Sequence, residues 1–313
     1  MTTIGTWELW LGFIGFVILM LALDLFFLGA NRPHKMSTKS AVTWSIVWVV
    51  LALGFTLLLW IYLNHTEGAA AANSNTMQFF TGYVLEKALA VDNLFVFLLI
   101  FKNFAVPLEY QRRVFLYGVI GALVLRGLMI GVGSLLIQEF TWVLYIFGVF
   151  LLVTGLKMFW VSDEVKHISE HKLVRFLRKH LRITDEFHKE HFFIKQRGLW
   201  YCTPLFLVLV LIEFSDVIFA TDSIPAIFAI TTDPFIVFSS NVFAIMGLRA
   251  LYFLLANAMA SFYYLQYGLA LILTLIGVKL LAANWIHISA GISLGAIALI
   301  LLSSIGLSLL RKK

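Results

Sequence analysis

Five carboxylates stand in stretches that are otherwise apolar: Glu86 and Asp92 in "LEKALAVDNLFVF", and Glu213, Asp216 and Asp222 in "EFSDVIFATDSIPAIF". An ionised acid taken out of water is costly unless a partner compensates it, so such residues mark an ion pathway, a proton relay or a structural ion pair. Asn93 and Ser223 follow Asp92 and Asp222 directly, and neither motif contains His, Cys or Met. This all-oxygen donor set suits a hard cation such as magnesium, calcium or manganese better than zinc or copper. The candidate metal ligands are therefore Asp92, Asp222, Glu86, Glu213, Asp216, Asn93 and Ser223. Arg126, Arg249 and Lys87 are their electrostatic partners, while Lys157 and Lys279 lie near helix ends and can snorkel to the interface. With one acid assigned to each arginine, the acids stay in excess, and a divalent cation together with a proton would balance them. Carboxylates that bind metal when ionised and protons when empty would support antiport. The competing reading is that the same acids are buried salt bridges fixing helix packing.

The elements that carry these residues read as helices. On an ideal helix Glu86 and Asn93 share a face, but Asp92 points about 120° away from Glu86, and Asp216 and Asp222 also point apart. One site using all of these acids requires local unwinding or ligands from two helix faces. Pro225 removes its own N–H and crowds the carbonyl of Thr221, which predicts a discontinuous helix able to aim carbonyls at a cation. Asp24, near the end of the first apolar stretch, is either a gate residue or a polar anchor.

The chain has 313 residues, 61% hydrophobic and only 13% charged, with mean hydropathy +0.94. That is the composition of an all-α integral membrane protein and not of a soluble enzyme. Strand-like alternation is weak, which argues against a β-barrel. Nine apolar stretches, at 7–29, 40–63, 78–101, 113–137, 141–160, 203–230, 236–256, 265–283 and 286–310, are each close to a bilayer-spanning helix in length. The first lacks a basic leader and a cleavage site and reads as a retained helix. Basic residues gather in alternate loops, around Arg32 and Lys35, Arg112 and Arg113, in 161–202, and in the terminal "RKK". By the positive-inside rule, nine spans then place the N-terminus outside and the C-terminus in the cytoplasm. The same rule accounts for the net charge of +6 without nucleic acid as a partner.

The two acidic motifs align without a gap, pairing Glu86 with Asp216, Asp92 with Asp222 and Asn93 with Ser223. Arg126 then pairs with Arg249, and Lys157 with Lys279, at nearly equal separations. Each unit holds three spans, so the second enters the membrane from the opposite side, an inverted-repeat architecture that transporters use with a midplane site. The chain accordingly divides into two N-terminal spans (1–70), a first three-helix repeat (76–160), a cytoplasmic loop (161–202), a second repeat (203–284) and a terminal span with its basic tail (285–313). In the loop, "HKLVRFLRKHLRI" predicts a short interfacial helix with Leu173, Phe176, Leu177 and Leu181 on one face. His167 and His171 are four apart, but an isolated pair is more often a solvated loop than a metal site. Trp7, Trp10, Trp44, Trp60 and Trp142 fall near span ends as interface anchors, and Cys202 has no cysteine partner in the chain.

"EKALAVDNLFVF" and "EFSDVIFATDSIPAIFAIT", with "QRRV", "YGVIGA", "LYIFG", "EHFF" and "SSNVFAIMGLRALYFLLA", resemble the TerC family over nearly the whole chain, especially its nine-span bacterial branch. The resemblance implies a multi-pass protein of the bacterial plasma (inner) membrane associated with manganese export, with the family motif residues at Glu86, Asp92, Asn93, Glu213, Asp216, Asp222 and Ser223. Older family labels, tellurite resistance, alkaline response and redox modulation, are also implied by it. One cysteine and no haem or flavin signature give a redox role no support.

The expected function is thus divalent metal-ion transport, manganese export in particular, with no resident cofactor and with the cation, and protons with it, as cargo. Calcium is the nearest alternative cargo. A metal-dependent intramembrane enzyme lacks a dedicated nucleophile and a histidine metal motif. A membrane docking partner without transport activity would not need Asp92 and Asp222 ionised.

Overall fold

The computed structural model describes residues 3–29, 38–140, 142–160, 172–196, 198–256, 264–283, 285–286 and 288–311. The apolar stretches form helices because a buried or lipid-facing backbone must satisfy its N–H and C=O groups within the segment. In chain order these are α1 (Trp7–Gly29), α2 (Thr38–Thr66), α3 (Ala69–Asn103), α4 (Leu108–Glu139) and α5 (Val143–Trp160). After α6 (Lys172–His180) come α7 (Pro204–Phe228), α8 (Pro234–Ile245), α9 (Leu248–Ala256), α10 (Leu265–Leu281) and α11 (Ala290–Arg311). Five spans, from α2, α4, α7, α8 continued into α9, and α11, are long and apolar enough to cross a membrane. Shorter apolar helices lie at Trp7–Leu23, Val143–Phe159 and Leu265–Leu281. The protein is an all-α membrane protein, with one small hairpin among the described residues.

Packing between the helices is reciprocal. α3 lies along α8, α4 along α7, and α5 along α10, while α2 covers α3 and α9 on one flank and α11 covers α3 and α10 on another. The contact between α5 and α10 is the most extensive, and small residues allow it: a Cβ on Gly155 would press into the Thr274 and Ala270 backbone, and one on Gly277 into Leu152. Close backbone approach through small residues is how membrane helices associate where apolar burial supplies little drive. Aromatic side chains fill the layer under α1 and α2, where Phe13, Phe55, Phe79, Phe235 and Phe243 stack in mutual contact. Outward faces stay apolar, as at Leu128, Leu135, Leu299 and Leu302, the surface a bilayer would cover.

Two local features differ from the sequence reading. Pro225 lies inside α7, which runs on to Phe228, so the chain does not break beside Asp222. The break comes instead between α8 and α9, at Met246 (ψ 129°) and Gly247 (φ 87°), a left-handed conformation that ends helices at glycine. At its other end α8 is capped by Asp233, whose carboxylate accepts from the backbone N–H groups of Phe235 and Ile236, and also from Ile4 N–H at 2.7 Å. The bond from Ile4 ties the N-terminal residues to the start of α8.

The polar connection between α5 and α7 contains more structure than expected. α6 ends at His180, so Leu181 falls outside it; Val174 and Leu177 face the core, whereas Phe176 is exposed and packs on His180. Beyond it, β1 (Phe193–Gln196) pairs antiparallel with β2 (Leu199–Cys202), with Gly198 at φ 80° in the turn. The β-prone residues Phe193, Ile194, Trp200 and Tyr201 around a two-residue connection ending in Gly were the available signal. His167 and His171 lie outside the described residues.

Candidate ion-binding site

α3, α4 and α7 together build a buried charge cluster. Arg126 of α4 donates from Nε and Nη2 to the two carboxylate oxygens of Asp216 at 3.0 and 2.9 Å, the bidentate geometry for which a guanidinium is shaped. Its Nη1 donates to Glu86 Oε2 at 2.8 Å. Arg126 and Glu86 are each only 1% exposed and Asp216 4%, so water screens none of these charges. One arginine therefore serves two acids, and they are the two that align between the sequence motifs. The expected pairing of one acid per arginine does not hold at Arg126.

The cluster keeps unused acceptor capacity. Glu86 Oε1 is buried and has no hydrogen-bond partner among the described residues. Glu213, one helical turn before Asp216 on α7, rests its carboxylate on the glycine face of α4, where a Cβ on Gly121 would overlap it. Glu213 Oε2 is likewise buried without a partner among the described residues. Buried carboxylate oxygens are rarely left this way unless a water, proton or cation completes them. Two carboxylates against one guanidinium already leave a negative excess, and Glu213 adds to it when ionised.

The other candidate residues are placed differently. Asp222 is half-buried on α7, with Thr154 of α5 beside its carboxylate. Asn93 and Ser223 are buried, and Ser223 Oγ is unpartnered among the described residues. Asp92 belongs to α3 and Asp24 to α1, but both side chains lie outside the described residues. Arg249, near the start of α9, is buried and engaged. Lys87 reaches no acid among the described residues; its Nζ donates to the carbonyls of Ala244 and Met246 at 3.1 and 3.4 Å. Among the described residues no three His, Cys, Asp or Glu side chains gather as a metal-binding group. Sequence reading did not single out Asn241 or Tyr83, although Asn241 Nδ2 and Tyr83 Oη are buried and unpartnered among the described residues. An amide within the apolar run "SSNVFAI" was the signal for the first.

Comparison with known proteins agrees with an integral membrane protein. The profile of the Integral membrane protein TerC family matches residues 71–313. A protein of Photorhabdus laumondii named "Putative membrane-bound redox modulator Alx" is 55% identical over 96% of this chain and 94% of its own length. Its namesake in Escherichia coli K12 is 55% identical over 95% of this chain and 92% of its own. A Myxococcus xanthus membrane protein, STKORF319, is 43% identical over 99% of this chain and 95% of its own. No solved structure matches the chain. Family profile and full-length relatives coincide over the helices that carry Glu86, Arg126, Glu213 and Asp216, and the chain belongs to the TerC family of integral membrane proteins.

Proposed function

We infer that the protein transports a divalent metal ion across the bacterial inner membrane, with manganese as cargo and export as its direction. The observation that carries this reading is the buried cluster of Glu86, Asp216 and Arg126, whose negative excess and unpartnered Glu86 and Glu213 oxygens call for a cation or proton. Hard oxygen donors match manganese, magnesium and calcium, and the family resemblance favours manganese among them. Asp92 and Asp222 are assigned as central ligands, with Glu86, Asp216 and Glu213 as ligands or proton-exchange carboxylates. Reciprocal packing of α3 with α8 and α4 with α7 supports alternating access between two three-helix units.

The test is transport by purified protein in inverted and right-side-out vesicles, following manganese against calcium, magnesium and zinc under imposed pH gradients. Manganese movement driven by an opposing proton gradient, and lost in Asp92→Asn and Asp222→Asn, is the expected result. A folded protein that moves no cation overturns the reading and returns the acids to structural ion pairing.

The names of two relatives point to redox chemistry, for which this chain has the single thiol of Cys202. Burial in β2 pushes that thiol up from its ordinary value, so less of it is the reactive thiolate at neutral pH. Cys202→Ser is expected to retain wild-type cation transport under oxidising and reducing conditions alike. Loss of activity in that variant alone would restore a redox role.

A further inference from the structure

Glu86 and Lys87 are consecutive on α3 but reach different parts of the molecule. Glu86 enters the ion cluster through Arg126 of α4. Lys87 crosses to the break in the central span, where its ammonium meets the carbonyls of Ala244 and Met246. Those carbonyls lie at the end of α8, where helical partners run out and a buried oxygen needs another donor. An ammonium there also opposes the negative end of the α8 dipole. The span Pro234–Leu254 is the most enclosed of the five long apolar spans. Next to the break lies a cavity of ≈ 20 Å³, lined in part by Trp48, Met246, Gly247 and Arg249, which leaves room for small movement.

We propose that Lys87 is a positioning residue that latches the α8–α9 break to α3, so that changes at the ion cluster pass through adjacent residues of α3 to the hinge at Gly247. Glu86 and Lys87 cannot move independently, because they share one continuous helix whose neighbouring turn is held tightly: Gly82 has Ser240 of α8 directly against it. A shift of α3 that follows rearrangement of Glu86 and Arg126 therefore pulls on the carbonyls of residues 244 and 246. The latch stands on these contacts alone; its role in a transport cycle rests on the function proposed above.

Hydrogen exchange of the full-length protein in nanodiscs, read over residues 244–251 with and without Mn2+, tests both parts. Loss of a charged donor to two buried carbonyls should speed exchange there by about tenfold or more in Lys87→Met, while Lys87→Arg keeps wild-type protection. Unchanged exchange in a folded Lys87→Met, or lost protection in a folded Lys87→Arg, overturns the latch. Glu86→Gln supplies a test that leaves Lys87 in place: it should alter exchange at 244–251, although Glu86 contacts neither carbonyl, and no change there overturns the coupling. Mn2+ that binds Lys87→Met but no longer alters the hinge supports the coupling. Wild type that binds no Mn2+ while the Lys87→Met effect persists removes the transport reading and leaves the latch standing.

Discussion

At the scale of single residues, the balance between desolvation and pairing decides which acids are structural and which are free to exchange ligands. Arg126 satisfies Asp216 through two bonds and Glu86 through one, and its removal strands two carboxylates in a buried site. Breaking one partner out of a buried ion cluster typically costs about 3–5 kcal/mol, so Arg126→Ala should lower thermal stability in detergent steeply. Arg126→Lys should recover little of it, because an ammonium cannot reproduce the planar bidentate fit. Glu213 stands outside the ion pairs, with its carboxylate on the glycine face of α4. Glu213→Gln should therefore change stability by about 1 kcal/mol or less while removing the pH dependence of cation transport. A Glu213→Gln protein that transports with the wild-type pH profile would exclude Glu213 from proton exchange. The same chemistry made these acids legible in sequence, since a charge within an apolar run is conspicuous. Arg126 was legible as a counter-charge, but the pairing was not: nothing in the spacing tells that Arg126 takes two acids or that Lys87 prefers carbonyls.

At the scale of elements, runs of apolar residues gave away the helices because a membrane leaves the backbone no other open-ended solution. Each apolar stretch named from sequence falls on a helix, the stretch 236–256 being split between α8 and α9. The split was hidden because "AIMGLRAL" is as apolar as its surroundings, and one glycine is weak punctuation. Pro225 was strong punctuation and misled: it sits only a turn from the end of α7, where losing one hydrogen bond does not stop the helix. At Gly247, a side chain meets two obstacles, the left-handed backbone and the Trp48 ring, into which a Cβ would press. The backbone term alone costs about 1–2 kcal/mol for Gly247→Ala. Trimming the ring should relieve only the second obstacle, so Gly247→Ala combined with Trp48→Ala should lose less stability than the two single losses added. Strict additivity in a double-mutant cycle would show that the ring does not constrain the hinge.

At the scale of the whole molecule, in the two three-helix units proposed from the sequence the first helix of each packs on the second helix of the other, and the third helices pack on one another. The pair α5 and α10 makes the most extensive of these contacts, and it does so by backbone proximity. Gly155 faces Thr274 and Ala270, Gly277 faces Leu152 and Gly148, and Gly148 faces Leu281. Any movement between the units must slide or separate this pair, whose dispersion contacts depend on the absence of side chains. Gly155→Leu should force the two helices apart and leave little monodisperse protein on size-exclusion chromatography. Gly131→Leu, within α4 and with nothing near the added Cβ, makes the same chemical change in a membrane span and should fold normally. If both variants fold alike, the α5–α10 contact is not what holds the units together. If Gly155→Leu fails and the smaller Gly155→Ala folds but transports slowly, the same close contact that holds the units together also limits their relative motion.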